Sequence, residues 1–430
     1  MTLLPLKPAR FGSHMVGFLI IALSVVATSA KGWAGENTLL TFTGPNGIGP
    51  VASLALDSAG NLYGTTSAGG PNGNGTVFKL TLNSKGVWTQ SLLYSFDTTN
   101  HPKGPWGPFA PVVLDSSGNI YGTSYYGGSS TGSTKCGSTG CGTVFRLSPT
   151  RAGSWKETKL YSFKGGKDGS NPNGGVVLDT QGNLYGTTIF GGGSNNGTVF
   201  KLTPTTTGPW KETILHAFTG GSVGGDGAWP NAGPTFDHLG NLFGTTLDGG
   251  QSLQNGTVFE LSPTAAGGWN YSVIHSFSPT GMNGQDGASP VGGVIADAGG
   301  NLYVATAGGG ALSQGAVVQL TPGSNGWAAS LLYSFQGLAD GADPNAAVTL
   351  DSAGNLYGTV TESASFGQGG AFKLSPSGGG TWTESVLFSF EGTDGATPWA
   401  SVTLDGQGNI YGTTEFGGSS SDGVVFEITP

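Results

Sequence analysis

Charge is scarce in this chain. Only 10% of its 430 residues are Asp, Glu, Lys or Arg, and 16 Lys and Arg face 25 Asp and Glu for a formal net charge of −9. So few cations offer no footprint for phosphate backbones or anionic lipid, and no nucleic-acid partner is expected. Histidine is rarer still. His14 falls in the N-terminal leader, His101 and His238 on different loop classes, and His216 and His275 where other repeats place Tyr or Phe. That scatter excludes a clustered zinc site or a base–nucleophile pair, and His216 and His275 are expected to pack. The two cysteines, Cys136 and Cys141 in "TKCGSTGCG", are too few for a zinc tetrad, so one local disulfide pinning a long loop is expected. No metal, cofactor or catalytic residue set is expected. Helical periodicity is missing beyond the leader.

Long apolar runs are also missing, with one exception. "MVGFLIIALSVVA" (15–27) follows Lys7 and Arg10 and precedes the small residues "TSA" (28–30). It is shorter than the roughly 20 residues of a membrane span, and residues 1–30 read as a secretory signal. Cleavage is expected, with retention as an N-terminal anchor the alternative. The product would be secreted, extracellular or at the cell surface, with no membrane span left. No cysteine lies near the cleavage point to carry a lipid. Nothing hydrophobic or basic follows the last repeat to act as an anchor.

What abounds is glycine, 81 residues, with 23 prolines. Such levels can mark disorder. Here aliphatic and aromatic residues recur at fixed positions and provide a core. "LDSAGNLYGTT" (56–66) returns six times in variant form, its asparagines at 61, 119, 183, 241, 301, 355 and 409. Each unit holds four strand-like runs, as in "ASLALD" (52–57), "NLYGTT" (61–66), "GTVFKLT" (75–81) and "WTQSLLYSF" (88–96), bounded by turn formers. Four strands repeated radially predict an all-β, seven-bladed β-propeller filling residues 31–430 as a single domain. The repeat cores lie near 52–96, 110–163, 174–218, 232–277, 292–335, 346–390 and 400–430. The last stops at "GVVFEITP" without a fourth strand, and "KGWAGENTLLTF" (31–42) has the form of the missing one. Residues 33–42 are therefore predicted to close the last blade, removing a free sheet edge. Trp and Phe are 8 apart in the other outer strands but 9 apart from Trp33 to Phe42, which one bulged residue would absorb.

The units "GNLYGTT…GG…GTVFKLTP" resemble the GloVer tandem repeat of exported bacterial proteins, over essentially the whole chain after the leader. The resemblance implies export and a repeat architecture, and brings no catalytic residues. Members end in surface anchors of several kinds. This chain shows none, which favours a released protein.

Most repeated residues read as structure. D-x-x-G-N (Asp57, Asp115, Asp179, Asp237, Asp297, Asp351, Asp405) is a hairpin turn whose carboxylate accepts backbone N–H groups. One acid per turn is too few for calcium. The ring after each turn, from Tyr63 to Tyr411, and the third-strand ring, from Phe78 to Phe426, are expected to interdigitate; the unit at Tyr303 departs with Val304 and Val318. Matches to G-x-S-x-G at Gly128–Gly132 and Gly220–Gly224 lack the following helix a nucleophile elbow needs.

Loops between second and third strands, and those entering each first strand, vary most and share one face, where binding usually resides. Two features there stand out. D-G-x-x-P carries Asp168, Asp226, Asp286, Asp340 and Asp394. These are ordinary turn formers, or else carboxylates around a channel mouth for a cation or sugar hydroxyls. Trp106, Trp229 and Trp399 flank the loop Pro in only three units, and Tyr125, Tyr126, Phe190 and Phe416 sit just past the second strand. Loop packing is the commoner role for such rings; stacking on sugar is the alternative. The leading expectation is a monomeric, non-catalytic propeller for an extracellular glycan or a protein surface. Its contacts would come from those aromatics with Asp248, Glu362 and Glu415. A carbohydrate-active hydrolase or lyase using those three acids is the alternative from a different class, and a structural surface-layer component a third.

Overall fold

Runs rich in β-branched and aromatic residues, fenced by Gly, Asn and Asp, leave little but strand available. The computed structural model describes residues 35–430 apart from 130–134, 207, 221–224, 251–254, 279–281, 283–285, 338 and 363. The signal reading of residues 1–30, the packing of Trp33 and most of both G-x-S-x-G loops lie outside the described residues. Seven four-stranded antiparallel sheets form the blades of a β-propeller. The first blade runs Ala55–Leu56, Leu62–Thr66, Thr76–Leu82 and Trp88–Ser95 from the axis outward.

The seventh blade takes its outer strand from the other end of the chain. Glu36–Thr41 pairs antiparallel with Val424–Ile428, from Glu36↔Ile428 to Thr41↔Val424. The bulge has a different origin from the one expected. Outer strands skip one residue at the same place in every blade, between Leu92 and Tyr94 in the first and between Thr38 and Leu40 in the seventh. Glu36 faces Ile428 as Gln90 faces Leu80, so the extra residue falls between Trp33 and Glu36.

First strands are shorter than predicted. Only Ala55–Leu56 of the 52–57 run joins the ladder. The backbone before it serves the neighbouring blade instead: Thr413 Oγ1 donates to Ala52 O (3.1 Å) and Thr403 Oγ1 to Leu54 O (2.6 Å). The first Thr of G-T-T makes this tie around the ring, as from Thr65 to Ala110 O and from Thr359 to Ala400 O. Blade five has Ala305 there and lacks the hydroxyl. The second Thr stays within its blade, bonding the third strand, as Thr66 Oγ1 to Thr76 Oγ1 (2.8 Å).

Rings seal the blade interfaces. The Phe ending one outer strand meets the third-strand Phe of the next blade edge to face: Phe96 on Phe145 (5.2 Å), Phe390 on Phe426 (5.1 Å) and, across the closing seam, Phe42 on Phe78 (5.3 Å). All six are buried. The outer-strand Trp lies against the preceding blade's turn Tyr, as Trp88 on Tyr411 at 5.9 Å.

The Gly beside that Tyr is there for space. A Cβ on Gly122 or Gly186 would stand 2.6 Å from the Cζ of Phe145 or Phe200. Blade five carries both changes together: Val304 replaces the Gly, Val318 replaces the Phe, and the two pair in register, fully buried.

Each D-x-x-G-N Asp closes its own turn. Asp57 Oδ1 accepts the Ala59 and Asn61 amides, and Oδ2 accepts Asn61 Nδ2 and Tyr63 Oη. Burial opposes ionisation, but these bonds outweigh it and hold Asp57, Asp115, Asp179, Asp297 and Asp351 below the usual carboxylate range. The opposite holds between outer strands, where burial first pushes Glu36, Glu212 and Glu384 up to about 7. A raised carboxyl stabilises the fold while protonated, fully below its unfolded pKa, and that gain disappears as pH rises to about 7; a depressed one stabilises above its unfolded pKa and fails in acid. Thermal stability is therefore expected to peak between pH 4 and 5 and to fall on both sides, measured by melting across pH 3–8. Glu212→Gln and Glu384→Gln together should flatten the neutral limb; an unchanged limb would contradict the assignment.

Candidate functional site

Axial positions emerge when the blades are aligned on the loop Pro rather than on D-G. The residue before that Pro is left-handed in all seven blades, with φ from 54° at Thr397 to 63° at Gly107. Trp229 (φ 59°) shows what this costs, since a bulky side chain in that region stores about 1–3 kcal/mol. Two backbone bonds hold it. Trp229 N–H donates to Asn196 O of the preceding blade (2.9 Å), and Leu247 N–H, just past the second strand, donates to Trp229 O (3.2 Å). The same pair recurs at Gly49, which takes its acceptor, Asp422 O, across the closing seam.

That pinned turn points the residue after Pro at the axis. Val51, Phe109, Asn173, Asn231, Val291, Asn345 and Trp399 all line one cavity of about 490 Å³. Small residues beyond them, such as Gly174–Gly175 and Ala346–Ala347, form its wall. Asn173 Nδ2 donates to Asn231 Oδ1 (2.8 Å), Asn231 Nδ2 to Val291 O (3.3 Å) and Asn345 Nδ2 to Thr361 Oγ1 (2.9 Å). These bonds fix the amide planes and leave the Asn173 and Asn345 carbonyl oxygens as acceptors. Trp399 is 39% exposed. Beside it Glu415 also lines the cavity, its carboxyl pushed up by burial and drawn back by a hydrogen bond from Trp399.

Of the residues singled out in the sequence, Trp399 and Glu415 reach this cavity and the rest stand around it. Trp106 stacks on Tyr126 (4.2 Å, 19° between planes) and pairs with it along the backbone. Phe109 meets Tyr125 at 5.6 Å and Tyr126 at 6.3 Å, so this aromatic nest touches the axis through Phe109. Phe190, Asp248, Glu362 and Phe416 each form a one-residue bridge to the incoming loop, at Ser170, Ala228, Ala342 and Ala396. Phe416 is exposed, Phe190 half-buried and Trp229 exposed on the same face. Burial, then the Glu362 charge, raises Asp343 on blade six.

The D-G-x-x-P aspartates do not line the channel, which corrects the alternative placing them at its mouth. Each accepts the amide following the preceding blade's Phe, as Lys164 N–H to Asp168 Oδ2 (3.0 Å) and Gln336 N–H to Asp340 Oδ2 (2.9 Å). Four also hold the ring two residues before that Phe: Tyr161 and Tyr333 donate to Asp168 and Asp340, and His216 and His275 meet Asp226 (2.9 Å) and Asp286 (3.2 Å). Both histidines are thereby packed in Tyr positions, His216 stacked 3.6 Å from Tyr271. Asn46 does the same work in the first unit, accepting Thr43 N–H at 2.8 Å.

Phe109 and the three asparagines were missed in the sequence. Their signal was the varied residue after a constant Pro, noticed only at Trp399. Cys136 and Cys141 form the expected disulfide, and Cys141 O accepts the Asn171 amide (2.7 Å), so the bridge braces the junction of blades two and three. Among the described residues no group of three or more His, Cys, Asp or Glu is placed to hold a metal, and no helix is long and apolar enough to cross a membrane.

The model of the Gloeobacter/Verrucomicrobia repeat matches this chain twice, over residues 132–329 and 230–430. The chain belongs to that repeat family. No curated protein is similar to it. Among solved structures, this repeat propeller is similar to a proposed 6-phosphogluconolactonase from Bacteroides uniformis, at 14% identity and TM-score 0.51, over 81% of this chain and 86% of that one. Such identity speaks for the fold alone. A proposed oxidoreductase (glucose dehydrogenase) from Thermus thermophilus overlaps 75% of this chain and 96% of its own at 16% identity, and its TM-score of 0.41 carries no argument.

Proposed function

We propose that this family member is an exported, non-catalytic binding propeller that holds a neutral sugar residue of a glycan in its axial cavity. The observation that carries the reading is the convergence of the seven varied post-Pro residues on one cavity. Phe109 and Trp399 offer apolar faces to the C–H side of a sugar ring, and amide carbonyls offer acceptors to its hydroxyls. Glu415 is the sole carboxylate among the lining residues. A glycosidase pair needs two carboxyls about 5–5.5 Å or 6.5–9.5 Å apart, which favours binding over hydrolysis. The disulfide fits an oxidising, extracellular setting.

Affinity electrophoresis and calorimetry with neutral β-glucan and xylan oligosaccharides test this. Trp399→Ala is expected to weaken binding at least ten-fold, since buried aromatic anchors carry about 2 kcal/mol or more. Trp106→Ala, outside the cavity, should stay within three-fold. Equal loss in both variants, or no binding by the parent, would overturn the reading.

A further inference from the structure

The junction of blades one and two lacks a part that the others have. At the six other junctions an Asp or Asn side chain accepts the amide following the Phe, and at four of them also a Tyr or His ring. In the second unit Gly104 occupies that place. Tyr94 Oη and the Asp97 amide, the donors that carboxylate would serve, make no hydrogen bond to any described residue. Asp97 does not turn inward to replace it: its carboxylate accepts the Thr99 and Asn100 amides and Asn100 Nδ2 of its own loop.

The place left open is a cavity of about 440 Å³, lined by Tyr94, Asp97, His101, Lys103, Glu157 and Lys159 among others. Three of these can carry positive charge in a chain that has few. Lys159 Nζ is braced on Lys103 O at 3.0 Å, which keeps the ammonium at the cavity. Two residues before Lys159 on the same strand, Glu157 Oε1 is buried without a partner, as are Glu212 Oε1 and Glu384 Oε1 on later outer strands. Burial raises the Glu157 carboxyl above its usual range, with Lys159 and then His101 drawing it partly back. An unmet acceptor beside unmet, half-buried donors is satisfied by water or by a ligand bearing both complements, and a ligand that replaces that water gains the contacts together.

We propose that this junction binds a small hydroxycarboxylate, such as a uronic-acid sugar, whose carboxylate takes the place of the missing aspartate. The carboxylate accepts from Tyr94 Oη and the Asp97 amide beside the Lys103 and Lys159 ammonium groups and the His101 ring, and an adjacent hydroxyl donates to Glu157 Oε1. The site is separate from the axial cavity and does not depend on the function assigned there.

Calorimetry on the full chain with D-galacturonate and D-galactose tests it. Galacturonate is expected to bind saturably and at least ten-fold more tightly than galactose, as a charge-assisted carboxylate contact implies. Tyr94→Phe should weaken galacturonate at least five-fold, and Trp399→Ala should leave it unchanged. Gly104→Asp supplies the repeat's own carboxylate and should abolish binding while the melting temperature holds or rises. Its Cβ would come within 3.0 Å of His101 O, so Tyr94→Phe decides the matter if that variant folds poorly. Equal affinity for the two sugars, no galacturonate binding at 10 mM, or full affinity in Tyr94→Phe would overturn the proposal.

Discussion

Phe42→Ala is expected to cost about 3–5 kcal/mol and to lower the melting temperature by about 4–6 °C, although the residue lies close to the start of the described chain. A terminal Phe on a surface strand would cost far less. Phe42 is fully buried, faces Phe78 of the first blade and follows the strand that completes the seventh. Losing it opens the interface across which Thr413 bonds Ala52 O and Gly49 bonds Asp422 O. A chain starting after Phe42 should fall further, because Val424–Ile428 would become an exposed edge. Thermal melts of both against the parent decide this, and a shift under 3 °C in each would show that the seam is held elsewhere.

Gly186→Val and Phe200→Val should each destabilise by about 3 kcal/mol, the first by overpacking and the second by leaving a cavity. Combined, they recreate the Val304–Val318 pair of blade five and should cost about 2 kcal/mol less than the sum. Gly186 and Phe200 pair in register as Val304 and Val318 do, and a Cβ at 186 would also meet Val176 Cγ1 at 3.1 Å. Denaturant unfolding of the four-member cycle measures the coupling. Strict additivity would mean that the blade-five exchange is coincidence rather than compensation.

The propeller was legible because its determinants are local and sevenfold. D-x-x-G-N announces a turn wherever it falls, and "KGWAGENTLLTF" could be matched to the missing strand by its ring and aliphatic spacing alone. The site was only partly legible because it is built from a register. Trp106, Trp229 and Trp399 look equivalent in sequence, yet they stand two before, one before and one after the loop Pro. One stacks on a neighbour, one fills a left-handed turn and one reaches the axis. Asn173, Asn231 and Asn345 gave no signal of their own, since an isolated Asn in a Gly-rich loop reads as a turn former. The D-G aspartates read first as turn formers, with a ring around the channel as the alternative. Their partners lie at the end of the preceding outer strand, a contact that no spacing within one repeat reveals.

The most direct measurement is the response of side-chain amide NMR signals to a neutral oligosaccharide titrated into the full-length protein. Binding at the axis predicts that the NH₂ resonances of Asn173, Asn231 and Asn345 shift together with the Trp399 indole, while those of Asn61, Asn183 and Asn409 in the turns stay in place. Saturation with the three cavity amides unmoved would contradict the account.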